Sequence, residues 1–280
     1  MGNLDKVNAF ISLFNEKTGC PKPVAKGKKL YTGVDLGTAY IVLAVVDEDG
    51  NPAGGAMRFA QVVKDGLVVD YLGAVNIVRE LKTALEERLD HCLDLAGVAY
   101  PPGTAEGDRR AIIHVAEAAG VEVKTIIDEP TAANEVLNIK NGAVVDIGGG
   151  TTGIAILKEG RVVYVADEAT GGTHFNLVIS GAYKIPFEEA EELKQDPGKQ
   201  GELFPVVKPV MQKVASIISR HIRGYDVNTI YLVGGTSCFS GIEHVVRDET
   251  GITTVKPENP FLVTPLGIAL SVLRNEEGIR

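Results

Sequence analysis

Residues 34–46 read Val-Asp-Leu-Gly-Thr-Ala-Tyr-Ile-Val-Leu-Ala-Val-Val, and residues 145–157 read Val-Asp-Ile-Gly-Gly-Gly-Thr-Thr-Gly-Ile-Ala-Ile-Leu. Each stretch is an apolar strand ending in Asp, a Gly-Thr turn and a second apolar run. Each is followed by a polar glycine turn, Asp47 to Gly50 in the first and Lys158 to Gly160 in the second. A third apolar run, 162–165, follows the second copy, while its counterpart after Gly50 is weaker and glycine-rich. Asp35 and Asp146 are 146 − 35 = 111 positions apart, a domain-sized period, and fixed-period self-similarity is read before anything else. The expectation is a pair of related α/β domains, each opening on one of these hairpins. Two unrelated glycine turns are the competing reading, and the position-by-position agreement weighs against it.

The rest of the chain alternates helix and strand. Val75, Val78, Leu81, Leu85, Leu89 and Cys92 recur at spacings of three or four and predict a helix over 74–95. Further helices are expected over 107–119, 130–138, 174–183, 187–195, 206–223, 239–248 and 264–274, the third with Pro130 suited to its first turn. Strands are expected over 120–127 and 228–233. That order implies a mixed sheet in each half. Ahead of it, Leu4, Val7, Phe10, Ile11 and Phe14 form a stripe on a short helix, followed by a Pro-, Gly- and Lys-containing linker to Lys29. A helix so short is marginal alone in water and is expected to dock.

Composition removes whole classes of function. Lys plus Arg is 28 and Asp plus Glu is 37, so the net charge is 28 − 37 = −9, the wrong sign for a protein that grips nucleic acid by its phosphates. No apolar stretch approaches the roughly 18–20 residues of a membrane span. Cys20, Cys92 and Cys238 are scattered and odd in number, with no C-x-x-C pair, which argues against zinc, iron–sulfur or disulfide frameworks. Asp5 and the missing apolar core argue against a secretory signal. A reduced, cytoplasmic, two-domain protein is expected.

The glycine loops carry the chemistry. A strand–Asp–Gly–Thr turn presents consecutive backbone N–H groups, glycine lets them approach a ligand, and such concavities bind anions. An Asp at the strand end can hold a hydrated Mg²⁺. Two matched loops, one per domain, can clasp a polyphosphate. A third element, Tyr231 to Ser237, is a buried strand running into Gly234 and Gly235, where a flat base can lie against backbone; a plain strand-to-helix turn is the equal alternative. Neither a Walker A loop nor a Rossmann fingerprint is present.

Together these residues resemble the ATPase domains of the actin, DnaK-chaperone and sugar-kinase superfamily. Gly33-Val34-Asp35-Leu36-Gly37-Thr38 looks like the first phosphate loop, Asp146-Ile147-Gly148-Gly149-Gly150-Thr151 like the second, and Leu232-Val233-Gly234-Gly235 like the adenosine motif. Ile127-Asp128-Glu129-Pro130-Thr131-Ala132-Ala133 is similar to the stretch that supplies a catalytic Glu in DnaK. The resemblance covers residues 30–274. Short intervening subdomains and the N-terminal extension look like the EutJ family, chaperone-like proteins of ethanolamine-utilisation microcompartments.

The resemblance implies two duplicated ribonuclease-H-like, actin/DnaK-type α/β domains with a nucleotide cleft between them. Its boundaries are an N-terminal helix and linker at 1–29, lobe I at 30–140 plus 264–280, and lobe II at 141–263. It implies ATP and Mg²⁺ as cofactors. Asp35 and Asp146 would orient the metal through waters. Thr38 and Thr151, with the backbone of Gly37, Gly148, Gly149 and Gly150, would bind phosphates. Glu129 would position the attacking water, with Asp146 and Thr151 as the other catalytic residues. Gly172, Gly234 and Gly235 would border ribose and adenine. Glu191 and Lys194 match a nucleoside-gripping pair in DnaK, and read equally well as a solvated i,i+3 pair. Pro101 and Arg109 match an interdomain switch, or a loop proline and a surface arginine.

Two departures lead to an expectation of slow turnover. Gly153 stands where DnaK carries an acid, and the catalytic lysine of DnaK has no clear counterpart, Lys64 lying in a Lys-Asp-Gly motif more like MreB. Phosphoryl transfer needs positioning and charge neutralisation more than covalent chemistry, so the expectation is Mg-ATP binding with slow Mg-dependent hydrolysis. The implied role is a chaperone-like or assembly factor for an ethanolamine-utilisation microcompartment, cytoplasmic or compartment-associated, with ATP/ADP and the pathway's enzymes or shell proteins as partners and no nucleic acid. The alternatives are a scaffold with little hydrolysis and a small-molecule kinase of the same fold. The stripe on residues 1–27 also has the form of a peptide that addresses cargo into compartments, against which stands packing on the chain's own body.

Overall fold

In the computed structural model, which describes residues 3–20 and 22–278, the two related hairpins open two five-stranded sheets of identical strand order. The first sheet comprises β1 (Leu30–Leu36), β2 (Tyr40–Asp47), β3 (Pro52–Phe59), β6 (Leu95–Tyr100) and β7 (Glu122–Asp128), ordered β3-β2-β1-β6-β7. The second comprises β8 (Gly142–Ile147), β9 (Thr152–Lys158), β10 (Arg161–Glu168), β11 (Thr229–Val233) and β12 (Thr253–Val255), ordered β10-β9-β8-β11-β12. In each, three antiparallel strands continue into two parallel ones. The duplication read from the sequence is thus a duplication of topology.

The chain divides into two units, Met1–Asn138 with Leu262–Arg280, and Ile139–Phe261. Unit 1 also holds α1 (Asn3–Gly19), the small hairpin β4 (Val63–Lys64) and β5 (Leu67–Val68), α2 (Tyr71–Leu89), α3 (Glu106–Ala118), α4 (Glu129–Leu137) and α9 (Val263–Glu276). Unit 2 also holds α5 (Gly172–Tyr183), α6 (Phe187–Gln195), α7 (Gln200–Ile222) and α8 (Ile242–Thr250). Residues 1, 2 and 21 of the expected segment 1–29, and residues 279 and 280, lie outside the described residues.

Glycine does structural work in unit 1 that motif reading assigns elsewhere. Gly97, Gly33, Ala44 and Gly55 are paired across β6, β1, β2 and β3 and so form one row on one face. Helices settle directly onto that row. A Cβ on Gly33 would overlap the Pro265 carbonyl and stand 2.7 Å from the Ala269 nitrogen, both in α9. On Gly97 it would stand 2.8 Å from Val272 Cγ2, and on Gly55 it would strike the Phe14 ring of α1. Gly33, read as part of a phosphate loop, is therefore a packing glycine.

The docking expected of α1 is realised on this surface. Val7, Ile11 and Phe14 are buried, each at 3% exposure or less, and α1 packs on β3 and α4. Burying such side chains contributes about 1.5–3 kcal/mol apiece, as an upper estimate. The apolar stripe is thus spent on the chain's own body.

Two helix limits differ most from the sequence expectation. The helix expected to reach residue 95 ends at Leu89, because Asp90 turns left-handed (φ 50°) and the next apolar residues feed β6. Helix α7 begins at Gln200, not 206, and runs through Pro205 and Pro209. A proline inside a helix removes one backbone bond. Here Gly201, Pro205 and Pro209 are exposed, so the freed carbonyls face water, while Leu203, Val207, Met211, Val214 and Ile218 keep an unbroken buried face.

Candidate functional site

In unit 2 the parallel strands β8 and β11, with Val233 opposite Asp146, deliver Asp146 and Gly234 to the same carboxyl edge, where α/β sheets tend to bind ligands. The turn after Asp146 is held from one side. The Gly148 carbonyl accepts from the Gly172 N–H at 3.0 Å and from Thr236 Oγ1 at 2.7 Å, and the Gly149 carbonyl accepts from the Thr173 N–H at 2.7 Å. Because each peptide unit is planar and trans, the N–H groups of Gly149 and Gly150 turn the opposite way, as a phosphate cradle requires. The Gly148 N–H closes the turn onto the Thr151 carbonyl at 3.0 Å.

Side chains would destroy this arrangement. A Cβ on Gly171 would stand 2.6 Å from the Gly148 carbonyl, and one on Gly172 would stand 2.5 Å from Thr236 Oγ1 and 3.2 Å from Lys194 Nζ. Gly234 adopts φ +86°, which favours glycine, and a Cβ there would overlap the Asp146 carboxylate. Asp146 and Thr151 are both buried. Gly172 opens α5, and a helix N-terminus favours an anion. The Phe261 ring lies 3.2 Å from where a Cβ of Gly235 would be.

Glu191 and Lys194 lie in this cluster as a buried pair rather than a solvated one. Lys194 Nζ is 2.6 Å from Glu191, with side chains only 12% and 8% exposed. Asn176 donates to the same carboxylate oxygen and Gln195 donates to the other at 2.7 Å. Burial alone would push the Glu191 carboxyl up, but the Lys194 charge and the three donors outweigh it and hold its pKa below the ordinary 4.5. Burial pulls the Lys194 ammonium below its ordinary value. A carboxyl depressed in the folded state adds stability above its unfolded pKa and loses it as pH falls through the folded one. The unfolding midpoint should therefore drop as pH is lowered below about 4.5, and Glu191→Gln should flatten that part of a midpoint-against-pH profile.

Unit 1 carries the other motif residues at the matching edge of its sheet. Asp35 lies near the end of β1, Gly37 and Thr38 form the turn into β2, and Glu129 begins α4 directly after β7. Strands β1, β6 and β7 are parallel, so Asp35 and Glu129 lie towards the same edge. Asp128 caps α4 by accepting from the Thr131 N–H at 3.0 Å, and Pro130 occupies the first turn. A Cβ on Gly37 would stand 2.8 Å from the Tyr40 carbonyl. Lys64 and Pro101, read as separate motifs, come together here. The hairpin turn Asp65-Gly66 next to Lys64 rests on Pro101, whose Cγ is 2.7 Å from a Cβ position at Gly66. Arg109 lies over the Tyr100 ring, 5.2 Å from its centroid.

Three further residues join the unit 2 cluster that motif reading passes over. Thr236 ties the third motif to the second, and Asn176 braces Glu191. Asp167 is paired with Gly153, which is paired with Asp146. The two carboxylates therefore share one face of the sheet, with no side chain between them. Among the described residues, no group of three or more His, Cys, Asp and Glu could itself hold a metal ion. No helix of the described residues is long and apolar enough to cross a membrane.

Comparison with known proteins completes this picture. The ethanolamine utilization protein EutJ of Escherichia coli (strain K12) is 44% identical over 258 residues, 92% of this chain and 91% of that protein. The chain belongs to the EutJ family. The crystal structure of EutJ from Carboxydothermus hydrogenoformans matches with a TM-score of 0.90 and 46% identity, covering 96% of this chain and 99% of that one. A family model described as type IV pilus assembly protein PilM matches residues 114–270 of the EutJ-family chain. MreB5 of Spiroplasma citri bound to ADP matches with a TM-score of 0.70 at 19% identity, over 89% of this chain and 98% of that one. The EutJ-family chain thus has the actin-like ATPase fold that its two hairpins imply.

Proposed function

We propose that this chain is an actin-like nucleotide-binding protein of ethanolamine utilisation that binds Mg-ATP, hydrolyses it slowly, and acts as a chaperone-like or assembly factor for the enzymes or shell of a microcompartment. The observation that carries the nucleotide reading is the glycine loop of unit 2: its Gly148 and Gly149 carbonyls are held by Gly172, Thr173 and Thr236, which turns the Gly149 and Gly150 N–H groups the other way between Asp146 and Thr151, and Gly171, Gly172 and Gly234 permit the close backbone packing that holds it so. Such a cradle suits phosphate oxygens. The donor set also suits Mg²⁺, which keeps several waters and few protein carboxylates. Asp146 and Asp35 would hold it through those waters, and the ion would supply neutralisation of phosphate charge. Thr38, Thr151 and the loop amides would orient the phosphates, and Glu129 would orient the attacking water.

Calorimetric titration with Mg-ATP tests this. Binding is expected for the unaltered chain. Thr151→Ala removes a hydrogen bond to a charged group, worth about 1.5–3 kcal/mol, so affinity should fall about ten- to hundredfold. Glu129→Ala should leave affinity intact and lower phosphate release. An unaltered chain that takes up no nucleotide would sink the proposal. The partner claim predicts that capture of ethanolamine-utilisation enzymes or shell proteins differs between ATP and ADP, since a ligand shifts a protein only through differential affinity for its states. Gly153 favours a second reading, a scaffold with little hydrolysis. In that case phosphate release is unchanged by Glu129→Ala.

A further inference from the structure

A cavity in unit 1, which none of the proposed nucleotide-binding residues line, combines an apolar floor with a basic rim. Its volume is about 200 Å³, and it lies where the end of α1 and the following linker meet the β2–β3 turn. Val24, Ala25 and Ala53 line its floor together with two prolines, and Lys17, Lys22 and Lys28 stand around it. The linker is fixed in place: the Val24 N–H donates to the Leu89 carbonyl at 2.8 Å, and the Lys29 N–H to Glu48 at 3.2 Å. The cavity is therefore preformed, which lowers the ordering cost of binding.

Charge is distributed unevenly here. Residues 17–29 contain Lys17, Lys22, Lys26, Lys28 and Lys29 and no acid, within a chain of net charge −9. Lys28 is engaged by Asp49 at 2.5 Å and Glu48 at 3.3 Å. Among the described residues, no carboxylate lies within ion-pair distance of Lys17 or Lys22. The one acid lining the cavity, Asp47, is occupied by the Asp49 and Asn51 N–H groups at 3.0 and 2.8 Å.

We propose that this cavity docks an acidic segment of a protein partner, which places one apolar side chain on the floor and its carboxylates against Lys17 and Lys22. A cavity of about 150 Å³ accepts a group the size of benzene, so one leucine- or phenylalanine-sized side chain fits. An inorganic anion would leave the apolar floor unused. A lipid surface calls for protruding large apolar side chains, and residues 17–29 offer only Val24 and small residues. Single-stranded nucleic acid calls for aromatic stacking platforms, and no aromatic lines the cavity. The acidic peptide is the one occupant that uses both floor and rim.

The test is fluorescence anisotropy on the full chain with a labelled peptide alternating glutamate and leucine. The peptide should bind, and added salt should weaken it, as screening requires. Lys17→Glu with Lys22→Glu should weaken binding about tenfold or more with at most a small fall in the unfolding midpoint, because position 17 lies in the last turn of α1. Lys22→Glu alone, at an exposed position, should show the same trend. A peptide with serine in place of leucine should bind less well. Absence of binding, equal binding by the charge-reversed chain, equal binding of the serine peptide, or preference for phosphatidylserine vesicles or inorganic phosphate would each overturn the proposal.

Discussion

Gly267→Ala is expected to lower the stability of unit 1 by about 3 kcal/mol or more, at the upper end for an overpacked core. A Cβ at Gly267 would overlap the Ala132 carbonyl and stand 3.3 Å from the Ala133 nitrogen. Helix α4 thus lies backbone to backbone on α9, and no side chain can rotate away to make room. The helices would have to separate, loosening Leu266 and Ile268, which are fully buried beside the contact. The Glu135–Arg274 ion pair joins the same two helices and would be pulled with them. For a unit of this size, about 3 kcal/mol corresponds to a fall of roughly 6–12 °C in the unfolding midpoint. Gly181→Ala is the control. It lies exposed in α5 with no neighbour within 4 Å of a Cβ, and the same chemical change should raise stability by about 0.5–1 kcal/mol. A Gly267→Ala chain that melts with the unaltered one would contradict the α4–α9 packing.

The second large effect is expected at Lys194. Breaking a buried ion pair by removing one partner costs about 3–5 kcal/mol. The lower end applies, because Asn176 and Gln195 still donate to Glu191. Lys194→Ala should therefore lower unit 2 stability by about 3 kcal/mol and reduce Mg-ATP affinity, as Lys194 Nζ borders Gly172. Lys194→Met with Glu191→Leu should recover part of the stability, since an apolar pair carries no stranded charge although the buried Asn176 amide loses its acceptor, but none of the nucleotide affinity. Denaturant unfolding and titration on the same three variants separate the two roles. Equal loss of stability in single and double variants would show that the pair's charge is not what holds the site.

These contacts show where reading the sequence succeeds and where it stops. The hairpins at 34–46 and 145–157 are legible because a strand, a Gly-Thr turn and a return strand are local, and the same local grammar occurs twice. Gly33, Gly55, Gly97 and Gly267 carry no local mark of their roles, because what each one needs is the absence of a Cβ opposite a helix distant in sequence. The Glu191–Lys194 spacing fits a solvated pair and a buried one alike; only Asn176 and the burial distinguish them. Asp167 is hidden by a bulge. Counting back from Arg161 opposite Lys158 would put Ala166 across from Gly153, but an irregularity between Val162 and Tyr164 inserts one residue and brings Asp167 there instead. Proline 205 misled for the opposite reason: its local effect is real, but the lost bond falls on water.

The position of α9 has a consequence for biosynthesis. Unit 2 is one continuous segment, whereas unit 1 takes in residues from both sides of it. Ile268, Ala269 and Val272 of α9 cover the glycine row of the first sheet, and they leave the ribosome after all of unit 2. Domains ordinarily fold in the order they are made. Here the earlier-made sheet must wait with one face uncovered until the later-made unit has emerged, so a released chain truncated after residue 261 should carry a folded unit 2 and an incomplete, protease-sensitive unit 1.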